Sequence, residues 1–301
     1  SQGVTTVVAA TGGYATLSEA EQMPTAHPLW PTIAKAFAEK KSQFDHPANV
    51  LFIHTQESRE VAISVTPPWP LAQIQRDLLE VFCQRIAAAF DNLYMFGQLR
   101  KAQEATVVAL ADLAEFRDKG TGGHVRRVQL LSSSLAARMA ARGAYPDELT
   151  PQLLEMIGLA SILHDVGKVA TPDHILLKPG IHTPEERAEM QTHAAVGRSI
   201  LERAAGMVDG VSYLTYGAQI AGAHHEHFDG NGYPNQLAGR AIPIAARIVA
   251  VIDVFDSLLH ERPYKEPWPH TEVMTYITER AGKQFDPEVV AALLDLIERD
   301  P

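Results

Sequence analysis

The sequence predicts an α+β protein in which a small mixed α/β region is followed by a long helix and an almost wholly helical remainder. Three observations predict this arrangement. Runs typical of β-strands occur before Pro67, apolar residues recur at helical spacing from Leu71 to Leu113, and helix signals without β signals of comparable strength follow Gly123. At 301 residues the chain can form one large or two modest domains, each with a buried core.

The first region combines three predicted strands with one helix. Val4–Ala9, Asn49–Thr55 and Glu60–Thr66 are β-branched or alternating runs bounded by turn residues, and Pro31–Lys41 is a plausible helix between them. The run Pro67-Pro68-Trp69-Pro70 can continue neither a strand nor a helix interior and therefore marks a boundary. This region contains no cluster of histidines, cysteines or carboxylates and no glycine-rich phosphate loop.

The second segment is predicted to be one very long helix or two nearly collinear helices. Its apolar residues at helical spacing are Leu71, Ile74, Leu78, Val81, Phe82, Ile86, Ala89, Phe90, Leu93, Phe96, Leu99, Val107, Leu110 and Leu113. We assign residues 1–98 to the first domain and 99–301 to the second. The helix either pairs with that of a second copy, giving a homodimer through residues 71–115, or packs on its own domain.

The remainder is predicted to be helical. Thr183-Pro184-Glu185-Glu186 has the N-cap, first-turn proline and third-position glutamate of a capping box, and Asp286-Pro287 begins the last helix in the same way. The predicted helices cover residues 123–142, 151–167, 184–204, 208–226, 242–260, 270–281 and 287–299.

Composition excludes several classes of function. The formal net charge of −10 argues against bulk nucleic-acid binding, and no apolar run approaches the length of a membrane span. The single cysteine, Cys83, lies among apolar residues and fits an inert thiol in a reducing cytoplasm, where we expect the protein. Because the chain does not begin with methionine, we expect that a tag was removed or that it belongs to a longer protein.

The stretch Ser161–Lys168 contains the first chemical signal. It places His164 and Asp165 side by side, with Lys168 four and three residues further on, so that on a helix all three share one face. An adjacent histidine and aspartate can offer a nitrogen and an oxygen to two neighbouring divalent cations. The octamer alone is equally consistent with a capped helix end in which Asp165 pairs with Lys168.

Further candidate ligands are histidines and one aspartate at or near predicted helices: His124, His193, His224, His225 and Asp253. A single histidine is more often structural than a ligand. Two adjacent imidazoles, and a carboxylate within an apolar run such as that around Asp253, cost solvation unless something uses them. Imidazoles and carboxylates without a thiolate suit iron or manganese better than structural zinc.

Two further stretches carry glycine or charge. Asp229-Gly-Asn-Gly-Tyr-Pro234 follows the histidine pair directly, and its glycines alone would explain a tight turn. Asp256 precedes Arg262-Pro263-Tyr264-Lys265, in which a proline holds two cations close together. As a charge cluster alone, this second stretch is typical of a solvated surface turn.

Taken together, residues 112–301 resemble an HD-GYP domain, a branch of the HD phosphohydrolase superfamily. The matching stretches begin at Thr121, His164, Thr192, His224 and Ile242, and they run in the family's order and spacing. The resemblance implies an all-α HD-type domain, with the leading region similar to the GAF-like sensory segments that precede such domains. Dimeric signalling, an upstream receiver domain and GGDEF-type protein partners are compatible with this class.

The resemblance implies a cyclic di-GMP phosphodiesterase acting at a metal cluster. Carried over by position, the metal ligands are His124, His164, Asp165, His193, His224, His225 and Asp253, with Asp165 bridging two ions. The catalytic residues are His164, Asp165 and Lys168, and the residues implied to contact the substrate are Lys168, Tyr233, Pro234, Asp256, Arg262 and Lys265. Arg247 is expected to brace Asp256 or Asp253.

One departure bears on the number of metals. Members of the family with three metals carry a glutamate four residues before the equivalent of His124, where this chain has Gly120. We therefore expect two divalent cations, iron or manganese, that share a water and lower its pKa. The resulting hydroxide would attack phosphorus in line, opening the ring mainly to linear pGpG. Asn235-Gln-Leu also replaces the usual Xaa-Gly-Leu, which predicts a changed loop shape.

Two alternatives remain at this point. The same fold could hydrolyse 3′,3′-cyclic GMP-AMP or another phosphoester. Alternatively, the chain could be a receptor that binds cyclic di-GMP and signals through protein contacts with little hydrolysis. The retained His164, Asp165 and Lys168 favour the enzyme, whereas the missing glutamate favours the receptor.

Overall fold

The structure is a computed structural model that describes residues 6–7, 23–55, 60–116, 123–260 and 266–299, apart from the side chains of Phe116 and Arg299. The chain divides into two compact units, Ser1–Lys101 and Ala102–Pro301. None of the described helices is long and apolar enough to cross a membrane.

In its described part, the first unit contains a three-stranded antiparallel sheet, a short helix and the first part of a long helix. Helix α1 spans Trp30–Glu39, and strands β1, β2 and β3 span Gln43–Asp45, Ala48–His54 and Glu60–Val65, with β2 in the centre. The predicted helix and the second and third predicted strands are confirmed within two residues, whereas β1 was missed because it has only three residues. The strand predicted at Val4–Ala9 lies largely outside the described residues.

Strand β2 is buried on both faces because each face is covered by a helix. Its residues Val50 and Phe52 pack in one cluster with α1, and the alternate residues Leu51 and Ile53 pack in another with Cys83. Since side chains alternate across a strand, the run from Asn49 to Ile53 is buried without interruption. Burial also raises the pKa of the Cys83 thiol, which fits the expected inert cysteine.

Helix α2 spans Gln73–Phe116 and is a single continuous helix, as one of the two predictions for this segment had it. In its first half, Leu79, Cys83 and Ile86 pack on the sheet. In its second half, Val107 and Ala111 are buried within the second unit.

The second unit is built from eight α-helices in the described part of the chain. They are α3 His124–Ala141, α4 Pro151–Ser161, α5 Asp173–Leu176, α6 Pro184–Ala205, α7 Tyr213–Ala223, α8 Ile244–Leu259, α9 His270–Glu279 and α10 Pro287–Arg299. The predicted capping box at the start of α6 is confirmed. Thr183 Oγ1 accepts from the Glu186 backbone N–H at 3.3 Å, and the Glu186 side chain accepts from the Thr183 N–H at 2.8 Å.

The prediction of a helix from 151 to 167 is wrong beyond Ser161. The backbone tightens there to hydrogen bonds between residues three apart, including His164 N–H to Ser161 O at 3.2 Å, and a 3-10 helix then spans Val166–Ala170. His164, Asp165 and Lys168 therefore lie on a turn and a 3-10 helix rather than on one α-helical face. The prediction of a helix from 208 is also early, because α7 begins after its N-cap, Ser212.

Helix α8 forms the centre of the second unit's core. Eleven of its residues are buried, and its apolar side chains form one cluster with those of α3, α4, α9 and α10. Ile248 and Ile252 are completely buried in that cluster. Because so much of its surface is covered, the polar side chains on α8 have fixed surroundings.

The expectation that Arg247 braces Asp256 or Asp253 is wrong. Its buried guanidinium donates to Asp286 Oδ2 at 2.6 Å, to Glu148 Oε2 and, through Nε, to the carbonyl of Ile242 at 2.9 Å. The guanidinium also lies over the Tyr145 ring, 4.6 Å from its centroid. Arg247 therefore ties α8 to the start of α10 and to the loop before α4.

We predict that Arg247→Ala lowers the free energy of unfolding by about 3–5 kcal/mol, because it leaves buried Asp286 without its cation. Arg240→Ala is the matched control, since Arg240 also pairs with Glu148 but its side chain is 58% exposed. The control should cost at most about 1 kcal/mol. Urea unfolding of the two variants measures the difference, and equal losses would contradict the assignment.

Candidate metal centre

All seven predicted metal-ligand positions converge in the second unit, although they come from five separate segments. His124 is the first residue of α3, His164 and Asp165 lie in the turn after α4, and His193 lies in α6. The remaining three are contributed by the end of α7 and by α8: His224, His225 and Asp253.

The side chains form two groups whose ligand atoms lie within 4.8 Å of one another. One group contains Asp165, His193, His224 and His225, and the other contains His124, His164 and Asp253. Nitrogen–oxygen separations within and between the groups are 3.3 to 3.9 Å, close to the roughly 3.0–3.5 Å between neighbouring ligands of one cation bound at about 2.1 Å. Each group can therefore hold a metal ion.

Asp165, a member of the first group, also faces an imidazole of the second group. Its Oδ1 is 3.4 Å from His193 Nε2 and 3.7 Å from His224 Nε2, whereas its Oδ2 is 3.3 Å from His164 Nε2. Lys168 Nζ also lies 2.7 Å from Oδ2. The two oxygens of one carboxylate thus face two different sets of imidazoles.

Three of the imidazoles are oriented by backbone carbonyls so that their Nε2 atoms face the centre. His164 Nδ1 donates to Ser161 O at 2.8 Å, His193 Nδ1 donates to Met190 O at 2.7 Å, and His224 Nδ1 contacts carbonyls of α7 at 3.1 and 3.2 Å. A carbonyl only accepts, so Nδ1 carries the proton and Nε2 is left as a donor of electrons to a metal.

Whether the centre fits a metal ion can be tested by asking whether its buried polar atoms have hydrogen-bond partners in the protein. Four of them are buried without a hydrogen-bond partner among the described residues: His164 Nε2, Asp165 Oδ1, His193 Nε2 and His224 Nε2. Buried polar atoms without partners are rare, because each one costs desolvation free energy. A divalent cation in each group would satisfy all four atoms, so the donor set fits metal ions.

Burial and mutual charge set the protonation of the centre. Burial lowers the pKa of His193, and it lowers the pKa of His225 well below its usual value together with the charge of His224. Burial also acts to lower the pKa of His164, but Asp165 and Asp253 outweigh it and raise that pKa to about 9. His164 must therefore release its proton before a cation binds, which weakens metal binding as the pH falls.

Asp256 lies behind His124 and not at an open substrate surface. Its Oδ2 accepts from His124 Nδ1 at 2.6 Å, and Arg127 donates to both of its oxygens at 2.5 and 3.0 Å. Burial acts to raise the pKa of Asp256, but the hydrogen bonds from His124 and Arg127 lower it to about 2. A buried carboxylate with both oxygens hydrogen-bonded does not fit the predicted contact between Asp256 and the nucleotide. It fits a residue that orients the His124 ring.

The sequence reasoning assigned no role to Arg127, although one signal was available. Arg127 lies three residues after His124 in α3, so the two side chains share a face of the helix. What the sequence did not show is that Arg127 pairs with Asp256, which lies more than a hundred residues further along the chain.

The glycine-rich loop after the histidine pair returns to the centre. Tyr233 stacks on His225, with ring centroids 4.7 Å apart, and its backbone N–H donates to His225 O at 3.2 Å. A Cβ at Gly232 would lie 2.2 Å from His227 N, so only glycine permits this return. Burial raises the pKa of the Tyr233 hydroxyl, which therefore remains protonated at neutral pH. The next residue, Pro234, is exposed.

Glu226 anchors the same loop through hydrogen bonds to its backbone, a role that was not predicted from the sequence. Its buried carboxylate accepts from Asn235 N–H at 2.7 Å and from Leu237 N–H at 3.0 Å. Gln236, where a glycine is usual, has a φ of 55°. This is the left-handed conformation that glycine adopts readily, so the predicted change in loop shape is not needed to accommodate Gln236.

Other predicted positions lie outside the described residues. Arg262 and Lys265, both predicted to contact substrate, belong to residues 261–265, and Gly120 belongs to residues 117–122. Their predicted roles remain predictions.

A contact between two glycine backbones sets the distance between Asp165 and His193. A Cβ at Gly167 would lie 1.9 Å from His193 O and 2.6 Å from Gly197 N. A Cβ at Gly197 would in turn lie 3.2 Å from Gly167 N and 3.3 Å from the Cβ of Ala221 on α7. The 3-10 helix, α6 and α7 can approach so closely because both positions lack a side chain.

Helices that carry histidines and aspartates to a shared centre define a metal-binding helical domain. A family model described as "HD domain" matches residues 108–289, and the chain belongs to this family. A second model, described as "Domain of unknown function (DUF3369)", matches residues 1–99. The GAF-like resemblance of the first region remains a prediction.

Three curated relatives illustrate the similarity. The chain is 45% identical over 199 residues to a Vibrio cholerae protein named "Probable cyclic di-GMP phosphodiesterase", covering 66% of this chain and 45% of that protein. It is 44% identical over 184 residues to a Thermotoga maritima "Cyclic di-GMP phosphodiesterase", covering 61% and 46%. It is 38% identical over 248 residues to the V. cholerae "3'3'-cGAMP-specific phosphodiesterase 2", covering 82% and 45%. The chain therefore spans a little under half the length of these relatives.

We predict that Gly167→Ala weakens the binding of divalent cations about tenfold or more, because the added methyl group pushes Asp165 away from His193. Gly158→Ala is the matched control, since its Cβ would lie 2.3 Å from Ser133 Oγ at the α3–α4 contact, away from the centre. Both variants should lose about 1–3 kcal/mol of stability. Titration with Mn²⁺ separates them, and equal affinities would contradict the prediction.

Proposed function

We propose that the chain hydrolyses cyclic di-GMP, mainly to linear pGpG, at a centre that holds two divalent cations. The observation that carries this proposal is the position of Asp165, whose two oxygens face two separate groups of imidazoles. A carboxylate in this position can bridge two cations, and paired cations are typical of enzymes that cleave phosphoesters. The names of the curated relatives support the same reaction class.

The proposed cations are iron or manganese, one for each group. Imidazole nitrogens and carboxylate oxygens without a thiolate suit these ions. When bound, the two cations would supply a hydroxide nucleophile near neutral pH and neutralise charge on the phosphate.

The chain's own residues have distinct proposed roles. Lys168 lies 2.7 Å from Asp165 Oδ2, which positions its ammonium beside the centre, where it can contact a non-bridging oxygen of the scissile phosphate. Tyr233 offers a protonated hydroxyl and a ring face stacked on His225. Arg262 and Lys265 remain proposed contacts of the nucleotide, with Arg262 suited to forked hydrogen bonds.

A second substrate is supported by one comparison. The relative named for 3'3'-cGAMP aligns over 82% of this chain, a larger share than either relative named for cyclic di-GMP covers. Hydrolysis of 3′,3′-cyclic GMP-AMP is therefore the alternative activity. Parallel assays of the two cyclic dinucleotides distinguish the two substrates.

We predict that the metal-loaded protein converts cyclic di-GMP to pGpG, with slower release of GMP. Asp165→Asn should reduce the turnover by a factor of about a thousand or more, because the shared carboxylate loses its charge. Asp209→Asn removes the charge of an exposed aspartate in the loop between α6 and α7 and should act like wild type. Chromatography of the products provides the measurement. Binding of cyclic di-GMP without turnover would favour the receptor, and rapid stoichiometric GMP would contradict the two-cation centre.

We also propose that α2 pairs with its counterpart in a second copy. An exposed row on α2 repeats at alternating intervals of four and three residues, as the core positions of a coiled coil do. Its members are Ile74, Leu78, Val81, Arg85, Ala88, Asn92, Met95 and Leu99. Six of these eight are apolar, and a polar residue such as Asn92 at such a position specifies the register of a pair.

The dimer predicts a clear difference between two variants. The double substitution Leu78→Glu and Leu99→Glu should give a monomer, because it places like charges in the seam between the helices. Lys101→Glu changes an exposed charge outside the row and should leave the dimer intact. Light scattering reports the mass, and a wild-type monomer at high concentration would exclude the pairing.

A further inference from the structure

The end of helix α2 packs directly beside the metal centre. Val107 and Ala111 of α2 belong to one buried cluster with Val125, Ile162 and Leu163. Val125 follows His124 in the sequence, and Leu163 precedes His164. The last turns of α2 therefore rest on the immediate neighbours of two proposed metal ligands.

Glu115 lies on this packed face of α2. It follows Val107 and Ala111 at intervals of four residues, which places the three on one side of the helix. The side chain is partly buried, although it belongs to the last turn of the helix. Burial raises the pKa of Glu115, the charges of His124, His164 and Lys168 lower it, and that of Asp165 raises it. These four charged groups all lie at the centre.

We propose that Glu115 is an additional carboxylate of the metal centre and strengthens the binding of a divalent cation by the group of His124, His164 and Asp253. That group offers three ligand atoms, fewer than the six that manganese or a similar ion takes in oxygen-rich sites. The oxygens of Glu115 are not among the closely spaced ligand atoms, so we assign it to the outer sphere of the cation. There its negative charge attracts the cation electrostatically.

This assignment also bears on the glycine at position 120. The sequence has no carboxylate four residues ahead of His124, whereas α2 supplies one nine residues ahead of it. The inference rests on the metal centre in the proposed function and not on its substrate.

The test is a titration of the whole 301-residue chain, free of metal, with Mn²⁺ in the absence of nucleotide. Glu115→Gln removes the charge with almost no change of shape, and it should weaken Mn²⁺ binding about tenfold. Asp112→Asn is the matched control, because Asp112 is an exposed carboxylate one turn earlier on the same helix, and it should bind Mn²⁺ as wild type does. The melting temperature of metal-free Glu115→Gln should not fall, since a neutral amide costs less to bury than a carboxylate.

A Glu115→Gln protein with wild-type affinity for Mn²⁺ would overturn the proposal and leave Glu115 as a structural side chain. Glu115→Asp keeps the charge but withdraws it by one methylene group, and it should give an intermediate affinity. A wild-type protein that binds Mn²⁺ but does not hydrolyse cyclic di-GMP would overturn the proposed phosphodiesterase and leave this inference intact. A wild-type protein that binds no Mn²⁺ would overturn both.

Discussion

A single carboxylate, that of Asp165, faces imidazole nitrogens on both sides, and the second unit is arranged to keep it there. Around it lie buried nitrogen atoms that have no hydrogen-bond partner among the described residues. Each of these atoms is shielded from solvent without a hydrogen bond from a described residue, which is a cost to the metal-free fold. A bound cation would repay that cost directly, so metal binding and the stability of this unit are thermodynamically linked.

The helix ends make this arrangement possible. The last carbonyls of an α-helix have no partner within the helix. In α4 the carbonyl of Ser161 accepts from His164 Nδ1, and in α7 the carbonyls of Ile220 and Ala221 contact His224 Nδ1. Each of these bonds ties an imidazole to the end of a helix and turns the opposite nitrogen of the ring toward the centre, while the carbonyls of Ser161 and Ile220 also accept the backbone N–H of His164 and His224. His124, at the start of α3, has no such carbonyl and uses Asp256 instead.

Most helices could be predicted from short stretches of sequence, and such stretches also supplied candidate ligands, whose assignment as one set rests on the family resemblance. The adjacent His224 and His225, and a carboxylate in the apolar run around Asp253, are unusual enough to be noticed locally. The end of α4 was mispredicted because apolar periodicity continues beyond Ser161, while the tight approach of Gly167 to α6 depends on a distant segment. The partners of Arg247 and Asp256 were mispredicted for a similar reason. Several acids and bases are compatible with each, and only the packing of distant elements selects one pair.

Two buried charge clusters on α8 show how a structural network differs from a functional one. Arg247 is matched by Asp286, Glu148 and a carbonyl, so its donors have acceptors and the cluster is closed. Asp253 lies six residues later on the same helix and belongs to a second cluster, in which imidazole nitrogens face carboxylate oxygens. Several buried atoms of that cluster have no hydrogen-bond partner among the described residues. Both clusters contain paired charges, so charge pairing alone does not separate them. The unmatched electron-pair donors do, because no described residue completes the second cluster, whereas a bound cation would.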